Sequence, residues 1–352
     1  MIPVQTEVAT RKAAIEKDVR TLEPEQPVDT LPRGRKSGGN GAARESKGKE
    51  AKNPAGRSAT IPIKNILFLT DFSESSEAAL PFAASIARGY GARVVAMHIF
   101  LPTLYIYTPP GAIPATIGAE EEQVSAAMQR LESQLSGVDH ETVVLRGMEV
   151  WPAAREAIEQ YEIDLIVLGT RGRTGADKLL LGSVAEEIFR RSPVPVLTIG
   201  PEVRGGAHAG GIFHRVLFAT DFTEASLAAA PYALSLAREN QARLLVVHVM
   251  RHPDKKTKKD EKRFEMTVAE AIHKMYDSIP KDAELPFPAE VFVDYGEPAE
   301  RIVETAKERG ADVIVLGVRD AAGRMGAATH LDRPTAHKVV AHAGCPVLTV
   351  RQ

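Results

Sequence analysis

The chain repeats itself, and the repeat limits what it can fold into. Residues 64–100, KNILFLTDFSESSEAALPFAASIARGYGARVVAMHIF, return as residues 214–250, HRVLFATDFTEASLAAAPYALSLARENQARLLVVHVM. Thr70-Asp71-Phe72 falls on Thr220-Asp221-Phe222, Pro81 on Pro231 and His98 on His248. Further on, Asp164 to Gly169 matches Asp312 to Gly317, and Pro195 to Ile199 matches Pro346 to Val350. A duplicated unit of about 140 residues implies two like domains. We place a tail at 1–60, a first domain at 61–200, a glycine-rich linker at 201–211 and a second domain at 212–352.

Within one unit the hydrophobic period alternates between strand and helix. Strands are expected at Asn65–Thr70, Arg93–Phe100, Glu141–Arg146, Asp164–Leu168 and Pro195–Ile199. Helices are expected at Glu74–Arg88, Glu120–Leu135, Pro152–Tyr161 and Ser183–Arg191. Between the second strand and its helix, Leu101–Ala119 is rich in proline and tyrosine and reads as a long loop that covers a site at the strand ends. Strands alternating with helices predict parallel pairing through right-handed crossovers. The fold class is therefore α/β, with two tandem doubly wound five-stranded parallel-sheet domains.

The stretch with chemistry in it follows the fourth strand: G-T-R-G-R-T-G-A-D-K-L-L-L-G-S, from Gly169 to Ser183. Gly169 and Gly172 mark the strand exit, while Gly182 and Ser183 open a helix. Glycine permits close backbone approach and positive φ, and a helix N-terminus offers free N–H groups to an anion. The spacing fits neither a P-loop nor a dinucleotide fingerprint. It resembles the ATP-binding signature of the universal stress protein family, G-x2-G-x9-G-[ST], matched at Gly169, Gly172, Gly182 and Ser183.

The resemblance extends over about residues 61–352. It implies an adenine nucleotide alpha-hydrolase-like fold with strand order 3-2-1-4-5, a stress-response role, and pairing through the last strand, as a homodimer or between the two repeats. In that order strands 1 and 4 are neighbours whose connections diverge, and open α/β sheets bind ligands at such a switch point. The implied nucleotide-binding residues are Asp71, Ile99, Leu168, Gly169, Gly172, Gly182, Ser183 and Val184. Asp71 would contact the nucleoside; the local alternative is an Asx turn or cap before the Ser73 helix start. Ile99 and Leu168 belong to the core on either reading. Arg171, Arg173 and Lys178 stand where phosphate charge needs neutralising.

ATP is the expected ligand, with Mg2+ accompanying it and no dedicated metal ligand in the chain. His98 and His248 read as satisfied core residues. No motif positions a water or hydroxyl for phosphoryl transfer, so we expect binding rather than catalysis. The rival readings are a slow ATPase or nucleotidyl-transfer enzyme and a ligand-free interaction module. The second repeat departs from the signature. Asp320 stands in the place of Gly172, and Arg333-Pro334 in the place of Gly182-Ser183. A carboxylate repels phosphate and proline offers it no N–H, so this copy is expected to have lost nucleotide binding.

The tail is basic between Arg33 and Arg57 and poor in apolar residues, which predicts disorder. It has no interleaved aromatics for base stacking, and the whole chain has a formal net charge of −2, so nucleic acid is not an expected partner. There is one cysteine, Cys345, and no apolar run of membrane-spanning length. Together these point to a cytoplasmic protein.

Overall fold

The computed structural model describes residues 61–100, 113–146, 149–170, 181–203, 213–250, 267–319 and 335–351. The first repeat runs β1 Asn65–Thr70, α1 Glu74–Tyr90, β2 Arg93–Phe100, α2 Ile113–Gln134, β3 His140–Arg146, α3 Val150–Gln160, β4 Leu165–Gly169, α4 Ser183–Arg191 and β5 Val196–Ile199. The second runs β6 Arg215–Ala219, α5 Glu224–Leu227, α6 Ala230–Glu239, β7 Arg243–Met250, α7 Val268–Asp277, β8 Glu290–Tyr295, α8 Pro298–Arg309, β9 Val313–Val318, α9 Thr335–His342 and β10 Val347–Arg351.

One expectation needs correcting. Helix α2 begins at Ile113, not Glu120, and takes in the end of the segment expected to be a loop. Pro114 disguised it: as the second helical residue it loses no intrahelical bond, because its N–H would have had no partner there. The rest of that loop, and the tail, lie outside the described residues.

Alternating apolar residues bury both faces of the sheet. On one face Ile66, Phe68 and Val167 pack against Ala79, Ala83 and Ala87 of α1. On the other, Leu67, Leu69, Ile99 and Leu168 pack against α3 and α4 through Ala157, Ile188 and Phe189. The alanine face of α1 lets that helix lie close to the strands. Its ends are set by Ser73, whose hydroxyl accepts the Ser76 N–H at 3.3 Å, and by Gly91 at φ 65°. Asp164 ties β4 to β1 by accepting the Lys64 and Asn65 N–H groups at 2.7 and 3.0 Å. Asp312 does the same for His214 and Arg215 at 2.6 and 2.8 Å.

Among the described residues ten strands form one sheet, in the order β3-β2-β1-β4-β5-β10-β9-β6-β7-β8. Each half has the order 3-2-1-4-5 implied by the resemblance. Neighbours within a repeat are parallel. The repeats join through β5 and β10, which pair antiparallel with Leu197 opposite Leu348. The buried Thr198 hydroxyl donates to Val347 O at 3.1 Å, and the buried Thr349 hydroxyl returns the bond to Val196 O at 3.2 Å. Internal pairing thus covers both last strands, which would otherwise be exposed edges.

Candidate functional site

At the carboxyl end of β1 the sequence T-D-F builds a hydrogen-bonded corner. Phe72 takes a left-handed conformation, φ 58°, uncommon for an aromatic residue. It is held there by its N–H, which donates to the Thr70 hydroxyl at 3.0 Å, and by its ring, which lies 4.4 Å from that of His98. His98 is buried and donates from Nδ1 to Thr70 O at 2.8 Å, so it is a satisfied core histidine. Ser76 donates to Ser73 O at 2.9 Å and contacts the Thr70 hydroxyl at 3.1 Å. Asp71 Oδ1 accepts the Ser73 N–H at 3.0 Å, which makes the Asx turn.

The second repeat builds the same corner. Phe222 has φ 61° and its ring lies 4.5 Å from His248. Its N–H donates to the Thr220 hydroxyl at 3.0 Å, His248 Nδ1 donates to Thr220 O at 2.8 Å, and Asp221 accepts the Thr223 N–H at 3.1 Å. T-D-F makes the same turn in both repeats. In the second corner Arg319, two residues past Gly317, reaches Asp221 at 3.6 Å. Burial alone would raise the Asp221 carboxyl. The Thr223 hydroxyl and N–H, the Ser226 hydroxyl and Arg319 outweigh it and hold the carboxyl below the usual range.

The crevice lies between β1 and β4, paired Leu69 to Leu168. Gly169 closes β4, and a Cβ there would sit 2.5 Å from Ser75 O. Gly317 is tighter still, with a Cβ 1.8 Å from Ala225 O. The first glycine of the motif thus admits the start of a helix, and Gly169 has no positive φ. Ile99 and Leu168 are buried, at 8% and 3% exposure, on the same face of the sheet as α4.

Gly182, in extended backbone at φ −62° and ψ 147°, is the N-cap of α4. Its N–H donates to Thr170 O at 2.7 Å. That corrects its expected role, since this N–H faces β4 instead of a ligand. The N–H groups of the first helical residues, Ser183, Val184 and Ala185, have no intrahelical carbonyl to bond. Ser183 and Val184 are exposed. The site therefore brings Asp71, Ile99, Leu168, Gly169, Gly182, Ser183 and Val184 to one end of the sheet, while Gly172, Arg171, Arg173 and Lys178 lie outside the described residues. In the second repeat Asp320, Arg333 and Pro334 also lie outside them, and α9 begins at Thr335.

The universal stress protein family profile matches residues 62–200 and again residues 212–351. The chain belongs to that family. A universal stress protein of Methanocaldococcus jannaschii is 32% identical over 141 residues, 39% of this chain and 81% of that relative. One of Mycobacterium tuberculosis is 25% identical over 296 residues, covering 80% of this chain and 95% of its own. Among solved structures, a universal stress protein of Archaeoglobus fulgidus superposes with a TM-score of 0.61 at 21% identity, over 82% of this chain and 98% of that one. That likeness establishes the fold. Among the described residues no helix is long and apolar enough to cross a membrane, and no group of three or more His, Cys, Asp or Glu could hold a metal ion.

Proposed function

We propose that this universal stress protein binds ATP or a related adenine nucleotide in its first repeat and acts as a nucleotide-responsive regulator. The observation that carries the reading is the N-terminus of α4. It opens at the carboxyl edge of the sheet, beside the β1–β4 switch point, with Ser183 and Val184 exposed and its cap fixed through Gly182 to Thr170, just past β4. Aligned donors and the positive end of the helix dipole favour phosphate there. Asp71, the apolar Ile99 and Leu168, and the nearby cations Arg171 and Arg173 in the sequence supply the remaining chemistry a nucleotide needs. Asp71 keeps the Asx turn with one oxygen, and a carboxylate has capacity for further donors. Any Mg2+ would be held chiefly by the phosphates.

Titration calorimetry with ATP tests the reading. One site per chain is expected. At about 100 times its Kd the ligand would add about 2.7 kcal/mol of apparent stability. Two equivalent sites would overturn the loss assigned to the second repeat, and no binding would overturn the reading itself.

A further inference from the structure

Helix α4 belongs to the first repeat, yet the second repeat holds it. The Arg351 guanidinium, near the end of β10, donates to Phe189 O at 3.2 Å and to Arg190 O. Those are carbonyls of the last turn of α4, which lack partners within the helix. At the other end of the helix, His337 of α9 lies 3.9 Å from the Glu186 carboxylate in the first turn of α4. Glu186 also faces Arg190 on its own helix at 3.8 Å.

This clamp is one-sided. Counting back from the matched prolines Pro195 and Pro346, the interface is close to two-fold: Thr198 aligns with Thr349, and Glu186 with His337. Arg351 breaks the symmetry, because its counterpart is Gly200. Gly200 has no side chain to offer α9; a Cβ there would already lie 3.4 Å from Ala343 O. The second repeat therefore gives a cation to the cradle helix of the first and receives none at the matching place. The recipient is the repeat that keeps the full glycine signature.

We propose that the second repeat is a positioning partner for the phosphate cradle of the first, with Arg351 as the positioning residue. The inference rests on the nucleotide reading above. Helix α4 has nine residues, about 13.5 Å of axis, and contacts of this kind fix it as a unit. The Gly182–Thr170 bond anchors its start, and Arg351 satisfies carbonyls at its finish and complements the negative end of its dipole. A helix held in place before phosphate arrives spends less of the binding energy on ordering.

The test uses the full chain with Arg351→Met, which keeps the apolar stem and loses the donors, and Arg351→Lys, which restores a cation. Calorimetry reads the affinity for ATP and, separately, for adenosine, which has no phosphate to meet α4. Arg351→Met is expected to weaken ATP about threefold to tenfold, with adenosine affinity little changed and Arg351→Lys recovering most of the loss. Amide exchange of the unliganded protein should also quicken in α4 and not in α9. An unchanged ratio of ATP to adenosine affinity in Arg351→Met overturns the proposal, as does a variant that loses stability while the ratio stays fixed. A wild-type chain that binds adenosine as tightly as ATP overturns the phosphate reading instead, and this inference with it.

Discussion

The two repeats agree at the corner after their first strand and part company at the loop after their fourth. At the corner Thr, Asp, Phe, Ser and His recur with hydrogen bonds that agree to within about 0.1 Å in the two copies (for instance 2.8 Å from each histidine to its threonine carbonyl). At the loop, glycines and a Gly-Ser helix start in one copy face Asp320 and Arg333-Pro334 in the other. Only one copy keeps the glycine signature, so what both copies keep has a role in the fold they share. Asp71 and Gly169 are on that side of the line as turn former and packing residue, whatever else they contact. Ser183 and Val184 fall on the other, so what separates the repeats is sought there.

The largest effect expected from this division is on stability, at the glycine both copies have. Gly169→Ala and Gly317→Ala each force a methyl group into helix backbone, at 2.5 and 1.8 Å. Overpacking of this kind costs about 1–3 kcal/mol, or more where backbone cannot move. Gly317→Ala should be the worse of the two, although only Gly169 belongs to the nucleotide signature. Denaturant unfolding of both variants checks this. A harmless Gly317→Ala would return the glycine to the ligand and break the comparison.

Next comes binding, at a position the copies do not share. Ser183→Pro gives the first repeat the residue of the second at the matching place. Proline is favoured at the first helical position. Gly182 already has the extended backbone that precedes a proline, so folding should survive. On the proposed reading one N–H that phosphate would bond is lost, and a charge-assisted hydrogen bond contributes about 1.5–3 kcal/mol, so ATP should bind at least about tenfold more weakly. Substitution of Gly182 is a poorer probe because its N–H serves Thr170. A folded Ser183→Pro chain with unchanged ATP affinity would remove the cradle from α4.

Much of this was legible in the sequence, and the rest was hidden for identifiable reasons. Strands such as Asn65–Thr70 and Arg93–Phe100, and helix Ser183–Arg191, have the expected bounds because their apolar period and caps agree. The start of α2 was missed because proline and glycine near Ile113 read as a loop. The Gly182–Thr170 bond was missed because a backbone amide has no signature of its own, and the link from Arg351 to α4 because it joins residues 161 or more positions apart. Arg319 had a visible counterpart in Arg171, but its attachment to Asp221 needed the corner and the strand exit side by side.

The smallest effect sits at that last contact. Asp221 has a lowered carboxyl pKa, so its contribution to stability is complete above the unfolded carboxylate pKa and disappears as pH falls through the folded one. Arg319→Gln removes one of the groups that lower it. Its carboxyl should therefore titrate at higher pH, and stability should fall slightly near neutrality and not at all in acid, where the carboxyl is protonated in both states. Both side chains are largely exposed, at 72% and 59%, so the loss should be about 0.5 kcal/mol or less and should shrink with salt. Carboxyl NMR titration of wild type and variant, at low and high ionic strength, measures it. An Asp221 that titrates alike in both would mean that Thr223 and Ser226 hold it unaided. ATP binding should not return to the second repeat in this variant, because Pro334 still has no N–H to give.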